Sequence, residues 1–220
     1  MLRDGKFAFL TEVEKECRGD PNSKVSDFFK KKENRELTVN SLKAFGRNYE
    51  YWKKSKESGA KFSERIFTYW IIQELKTRGF KEARLRKRYD VPIRIPTGNG
   101  KTEEITKVID FCFIDKDGKE IYIEYKCNID LVEKDLYKFY LIKRYKEQKP
   151  TTVLLIWEIR NNWNDKKKNE PSQCANLLIN AKAERILDEY FYLPISDKNK
   201  LREQVFDFKR FIESKTTRQT

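Results

Sequence analysis

The sequence contains no histidine in its 220 residues. That absence removes every Ser-His-Asp and Cys-His triad, the usual zinc hydrolase sites and histidine-based metal fingers. Hydrolytic chemistry in this chain has to run on carboxylates, lysine, tyrosine and an oxygen-liganded cation. The four cysteines, Cys17, Cys112, Cys127 and Cys174, are scattered without C-x-x-C spacing. They read as reduced thiols, not as a zinc site or a disulfide framework. No apolar run approaches the ~20 residues that cross a bilayer. No signal-peptide or lipidation pattern is evident, so a cytoplasmic protein without a membrane partner is expected. Glycine is scarce, and the pair in Thr97-Gly98-Asn99-Gly100 lacks the spacing and the Gly-Lys-Ser/Thr of a P-loop, so no nucleotide cofactor is expected. There is no internal repeat.

What the chain does carry is positive charge and aromatic residues. Lys and Arg number 48 against 35 acids, a net charge of +13. The excess points to a polyanionic partner, nucleic acid before membrane. Aromatics make up 14% of the residues, so the 38% that are charged do not signal disorder. A chain of this length forms one domain of generous size, or a core with an appended subdomain.

The most informative stretch is 107–130, KVIDFCFIDKDGKEIYIEYKCNID. Two runs rich in Val, Ile, Phe and Tyr, Lys107–Asp115 and Lys119–Cys127, flank Lys116-Asp117-Gly118. A three-residue loop ending in Gly fits a type I turn with a left-handed last residue. That loop sets Asp115 opposite Lys119 and, counting back along both strands, Asp110 opposite Glu124, with Cβ atoms ~5 Å apart. Lys126 points to the same face. Facing carboxylates repel, and a bound divalent cation reverses that sign. The plain alternative is a solvated strand face, and a two-residue loop would put the acids on opposite faces. Against the solvated face stands the pattern around Asp110. Val108, Cys112 and Ile114 share its face and Ile109, Phe111 and Phe113 take the other, which describes a central strand buried on both sides.

Elsewhere the periodicity predicts helices over Phe7–Cys17 and about Ser41–Lys56, then Lys61–Arg78 with Ser63 as a possible cap and Gly79 as its left-handed terminus. Val91–Pro96 reads as an extended edge segment. Leu131–Lys149 predicts a basic amphipathic helix with Leu131, Leu136, Phe139, Tyr140 and Ile142 as its buried stripe. Thr152–Ile159 reads as a buried strand, Ser172–Leu187 and Leu201–Ile212 as helices and Tyr190–Leu193 as a short strand. The lysine run Lys30–Lys32 reads first as a solvated face, and polar Asn161–Glu170, with Lys166–Lys168, reads as a mobile loop.

The order of helix with Glu64, strand with Asp110, strand with Glu124-Tyr125-Lys126, helix and strand resembles the core of the PD-(D/E)XK nuclease superfamily. The match covers roughly 60–160. Its signature here reads Ile109-Asp110, thirteen intervening residues, then Glu124-Tyr125-Lys126, with Ile109 where the family's name has proline. The stretch from Lys126 to Leu136 looks like the segment that begins at the catalytic lysine in several type II restriction enzymes.

The resemblance implies an α/β restriction-endonuclease-like core, a mixed sheet flanked by helices, over 59–160. Residues 1–58 would form a helical N-terminal extension, and 161–220 a C-terminal extension packed on the core. It implies Mg²⁺, with Mn²⁺ substituting, held by Asp110 and Glu124, and Lys126 beside the attacking water. Glu64 would be a further catalytic and metal-contacting residue, with Glu74 as the fallback on the same helix. The activity implied is cleavage of double-stranded DNA by a sequence-specific type II restriction enzyme acting as a homodimer. Lys134, Lys138 and Asn128 are the candidate DNA contacts. The alternatives are a structure-specific repair, recombination or phage-defence nuclease of the same fold, and a non-catalytic basic DNA-binding protein.

Overall fold

The computed structural model describes residues 38–43, 59–79, 85–158, 162–165 and 170–216. The helix expected over Phe7–Cys17, most of that over Ser41–Lys56 and both lysine runs lie outside the described residues. Of the expected N-terminal extension, one helical turn at 39–43 is described. Thr38 Oγ1 caps it by accepting from the Ser41 N–H at 3.0 Å, and Leu42 is fully buried.

The elements in chain order are α1 (Gly59–Thr77), β1 (Leu85–Pro96), β2 (Thr102–Ile114), β3 (Glu120–Lys126), α2 (Glu133–Tyr145), β4 (Thr151–Glu158), β5 (Asn164–Asp165), β6 (Glu170–Pro171), α3 (Gln173–Ala183), β7 (Glu189–Pro194) and α4 (Lys198–Thr216). α1 begins at Gly59, so Ser63 lies inside the helix and is not its cap. The protein is α/β. Its main sheet runs β1-β2-β3-β4-β7, and β5 pairs with β6 in a separate ribbon. β1, β2 and β3 are antiparallel neighbours, while β3, β4 and β7 run parallel. The sheet is therefore mixed.

Alternation along the strands assigns the layers. Ile121, Ile123 and Tyr125 of β3, Val153, Leu155 and Trp157 of β4, and Phe191 and Leu193 of β7 meet α1 and α4. The even-numbered partners Tyr122, Leu154, Ile156 and Tyr192 meet α2 and α3. With both faces covered, β4 (TTVLLIWE) is buried at every position, which is why it reads as a continuous apolar run. β7 and α4 belong to this core. Residues 161–220 thus pack on the core and supply the fifth strand of its sheet. Burial along α2 also departs from expectation. Leu131 and Tyr140 are exposed, and Val132 and Leu141 are buried beside Leu136, Phe139 and Ile142. The helix starts at Glu133, after a 3₁₀ turn at Ile129–Leu131, so Leu131 lies outside the helical stripe.

The β2–β3 hairpin has the expected turn. The Asp115 N–H donates to the Lys119 carbonyl at 2.9 Å, the Gly118 N–H donates to the Asp115 carbonyl at 3.2 Å, and Gly118 has φ +81°. The Asp115 carboxylate locks the loop by accepting from the Asp117 and Lys119 N–H groups, each at 2.9 Å. The Thr97–Lys101 turn between β1 and β2 repeats this form, with Gly100 at φ +74°.

β2 is not a central strand along its whole length. Thr102–Phe113 pairs with β1, but only Phe111–Ile114 pairs with β3. The β1–β2 ladder is interrupted once, at Arg88 and Asp110, and Arg88 has φ +47°. Across that break the apolar residues change layer. Leu85, Phe111 and Phe113 pack toward α1 and α4, whereas Val91, Ile93 and Ile109 join the α2 side. Ile109 therefore does not share a layer with Phe111, and Val108 is exposed. Asp110 sits at this twist, at the end of the β2–β3 pairing.

The left-handed backbone at Gly118 yields a stability test. A Cβ there would touch nothing within 4 Å, so a side chain costs conformational strain alone. Gly118→Ala should lose roughly 1–2 kcal/mol in urea unfolding. Gly98→Ala, equally uncrowded and without a positive φ, should stay within about 0.5 kcal/mol of the wild type.

Candidate active site

The last β2–β3 pair is Phe111↔Ile123, in the expected register. One step further on, side chains take over the ladder. The Asp110 N–H donates to Glu124 Oε1 at 3.3 Å, and the Tyr125 N–H donates to Asp110 Oδ2 at 3.0 Å. The strands open here, and the two carboxylates occupy the opening. Backbone donors near a sheet interior need acceptors, so this substitution fixes both acids in place.

Glu124 faces the α2 layer and is 1% exposed. Lys138 of α2 reaches its Oε1 at 2.6 Å. One turn earlier on α2, Asp135 is also buried, with Oδ1 3.4 Å from Lys138 and Oδ2 2.7 Å from Lys126. The result is a chain of alternating charge, Glu124–Lys138–Asp135–Lys126, with Asp110 beside Glu124. Spacing i, i+3 on one helix face is what lets Asp135 and Lys138 reach the same strand end.

Burial pushes the Glu124 carboxyl well above the usual carboxylate range, the Asp110 charge adds to this, and Lys138 opposes it. For Lys126 burial alone would lower the ammonium's pKa, but the charge and hydrogen bond of Asp135 outweigh it, and the net shift is upward. Lys126 is held as a cation.

Tyr125 points the other way. Its ring stacks on Phe67 of α1, with centroids 5.7 Å apart, and its hydroxyl lies 3.4 Å from Thr68 Oγ1. Burial raises its phenol pKa, and Asp110, Glu64 and Glu124 raise it further. Glu64 is half-buried on α1 and reaches the site electrostatically through Tyr125. Among the described residues no three His, Cys, Asp or Glu side chains group closely enough to hold a metal. Glu64 is thus not gathered into one ligand cluster with Asp110 and Glu124. Glu74, the fallback, instead pairs with Arg78 at 2.9 Å on its own helix.

The structure thus brings Asp110, Glu124 and Lys126 together, and Glu64 acts with Asp110 and Glu124 on the Tyr125 hydroxyl. It moves Lys138, expected on a DNA-facing surface, into the carboxylate cluster. Lys134 is exposed on the first turn of α2. Asn128 caps the 3₁₀ turn by accepting from the Asp130 N–H at 3.1 Å. Two buried acids are not evident from the sequence motifs. Asp135 falls in line with Phe139 and Ile142 on the buried stripe, an acid where the period calls for an apolar residue. Glu158 ends an otherwise apolar strand and is fully buried. Its Oε2 accepts from the Ile129 N–H at 3.0 Å and pins the turn C-terminal to Lys126. In both cases the signal is an acid inside an apolar pattern.

No protein-family model matches the chain, and no curated protein matches it. Two solved structures are similar in part. Protein VC1899 from Vibrio cholerae is 12% identical, with 74% of this chain and 38% of that one covered and a TM-score of 0.42. SSO0001 is 17% identical, with 80% and 84% covered and a TM-score of 0.27. The chain spans well under half the length of the first. Neither likeness is close enough to carry an argument about function.

Because Glu124 has a raised pKa in the fold, it costs stability as pH climbs from the unfolded carboxylate value near ~4.3 towards its folded value. Below that window both states are protonated and the group contributes nothing. Glu124→Gln removes the cost. In EDTA-treated buffer, its urea midpoint relative to wild type should rise between pH 5 and pH 8. A difference that stays constant with pH would contradict the burial of an ionisable group there.

Proposed function

We propose that this chain is a divalent-cation-dependent endonuclease of the PD-(D/E)XK superfamily, with a restriction-endonuclease-like core, that hydrolyses phosphodiester bonds in double-stranded DNA. Within that class we propose a sequence-specific type II restriction enzyme working as a homodimer. The observation that carries the reading is the opening of the β2–β3 ladder, where Asp110 and Glu124 stand side by side with Lys126 two residues on. The order of helix, strand, strand, helix and strand around that opening supports it, as does the net charge of +13.

The donor set fits a hard cation. Asp110 and Glu124 offer oxygen ligands only, and their mutual repulsion in a buried setting is relieved by a positive charge. Two protein carboxylates suffice for Mg²⁺ or Mn²⁺, which keep waters and take substrate phosphate oxygens for the rest of the shell. When bound, such an ion supplies a water of lowered pKa and stabilises charge developing on the phosphoryl oxygens. The chain's own residues do the rest. The Tyr125 N–H orients Asp110, the Asp110 N–H and Lys138 orient Glu124, and Asp135 holds the Lys126 ammonium at the same end of β3. Lys126 is placed to donate a hydrogen bond to the attacking water or to the phosphate as negative charge builds. A symmetric dimer would bring two such sites to the two strands of a palindrome.

Incubating supercoiled plasmid with the protein and Mg²⁺ should give discrete fragments, and none in EDTA. Asp110→Ala, Glu124→Ala and Lys126→Ala should each lower the rate by roughly 10²–10³-fold. Cutting restricted to branched or flapped DNA would move the assignment to a structure-specific nuclease. Salt-dependent binding unaffected by Asp110→Ala, with no cutting, would make the chain a DNA-binding protein.

A further inference from the structure

Lys138 is the residue of the site whose place the nuclease chemistry does not by itself explain. Its Nζ lies 2.6 Å from Glu124 Oε1 and 3.4 Å from Asp135 Oδ1, so one ammonium bridges two buried carboxylates from different elements. Bridging acids from separate elements is what a metal ion does in a carboxylate site. Lys138 reaches there from the second turn of α2, and the side chain is largely covered.

The charges around the opening set how many cations the site can take. Asp110, Glu124 and Asp135 contribute three negative charges when ionised, and Lys126 and Lys138 two positive ones, leaving a net of −1. One divalent cation brings this to +1, and a bound phosphodiester, at −1, brings it to zero. Two divalent cations with the same phosphodiester would leave +2 in a site where Glu124 and Asp135 are shut away from water and Asp110 is half-buried. Uncompensated buried charge of that size is strongly disfavoured. Without Lys138 the protein groups sum to −2, and two divalent cations with one phosphodiester leave +1.

We infer that the Lys138 ammonium fills the place of a second metal ion, so that the site takes one divalent cation at Asp110 and Glu124, with Asp135 as the positioning residue that holds both lysines. This rests on the nuclease reading, because it presumes that the carboxylate pair takes a cation at all. It also gives the two lysines different tasks. Lys126, paired with Asp135 two residues beyond Glu124, serves the reacting water and phosphate. Lys138 balances Glu124 and keeps the carboxylate oriented.

Counting bound Mn²⁺ tests this without reference to cleavage. With a saturating non-cleavable DNA duplex present and the duplex's own Mn²⁺ uptake subtracted, the loss of the free Mn²⁺ electron paramagnetic resonance signal should saturate at one ion per chain for the wild type and two for Lys138→Met, whose side chain keeps the length but not the charge. Lys138→Arg, which keeps the charge, should stay at one. Should Lys138→Met fail to unfold cooperatively, Lys138→Gln takes its place, and the wild-type count still decides. Two ions on the wild type, or one on the uncharged variant, would overturn the role of Lys138 and leave the nuclease reading standing. No ion on the wild type or on the uncharged variant would remove the cation itself and both readings with it.

Discussion

A β ladder that stops inside a fold must hand its backbone donors to something else, and here it hands them to two carboxylates. Past Phe111↔Ile123 the amides of Asp110 and Tyr125 find their acceptors on Glu124 and Asp110. Everything distinctive about the site stems from that exchange. It holds two like charges side by side, and it does so where the covering helix shuts Glu124 away from water. Like charges so placed are tolerated only with a counter-charge close by. α2 provides one in Lys138, steadied by Asp135, and the β3–α2–β4 connection brings that helix back over the strand that carries Glu124.

The same face of the sheet manages a half-buried acid by the same rule. At the far end of β3, Glu120 accepts from the hydroxyls of Tyr89 at 3.1 Å and Tyr122 at 2.7 Å and from Lys146 at 2.7 Å. That set holds its carboxyl below the ordinary value despite burial. Glu124 differs in direction. Its pKa is driven up by burial, and Asp110 adds a second negative charge that Lys138 does not cancel. Two acids on one strand and one face, each with a lysine from the α2 side, thus end with opposite shifts. The difference marks Glu124 as the one whose surroundings call for more positive charge.

Much of this is legible in the residues. The turn chemistry of Lys116-Asp117-Gly118 sets the hairpin register, and the register alone opposes Asp110 to Glu124. Continuous apolar composition marks β4 as covered on both faces, and alternation places Lys126 with Glu124. What composition does not show is where pairing ends. The twist at Arg88 and Asp110 depends on one backbone angle, and arginine carries no signal for a left-handed conformation. Reading Asp110 as lodged in a central strand therefore sets it beside Glu124 by an incomplete argument. Lys138 is one of several lysines on a basic helix. Only the packing of α2 against β3 tells the one that meets a carboxylate from those that meet solvent. Glu64 shows the converse, since its helix position reads as part of the site while no metal-holding group of three acids forms among the described residues.

The central claim is that the opening between β2 and β3 cuts DNA at defined sequences. Digesting DNA of known sequence with the purified chain and Mg²⁺, then sequencing the fragment ends, tests it most directly. The account predicts ends that share one short, symmetric motif and vanish when Glu124 is replaced by alanine. Ends without a common motif, ends that persist in the Glu124→Ala variant, or DNA left intact would contradict it.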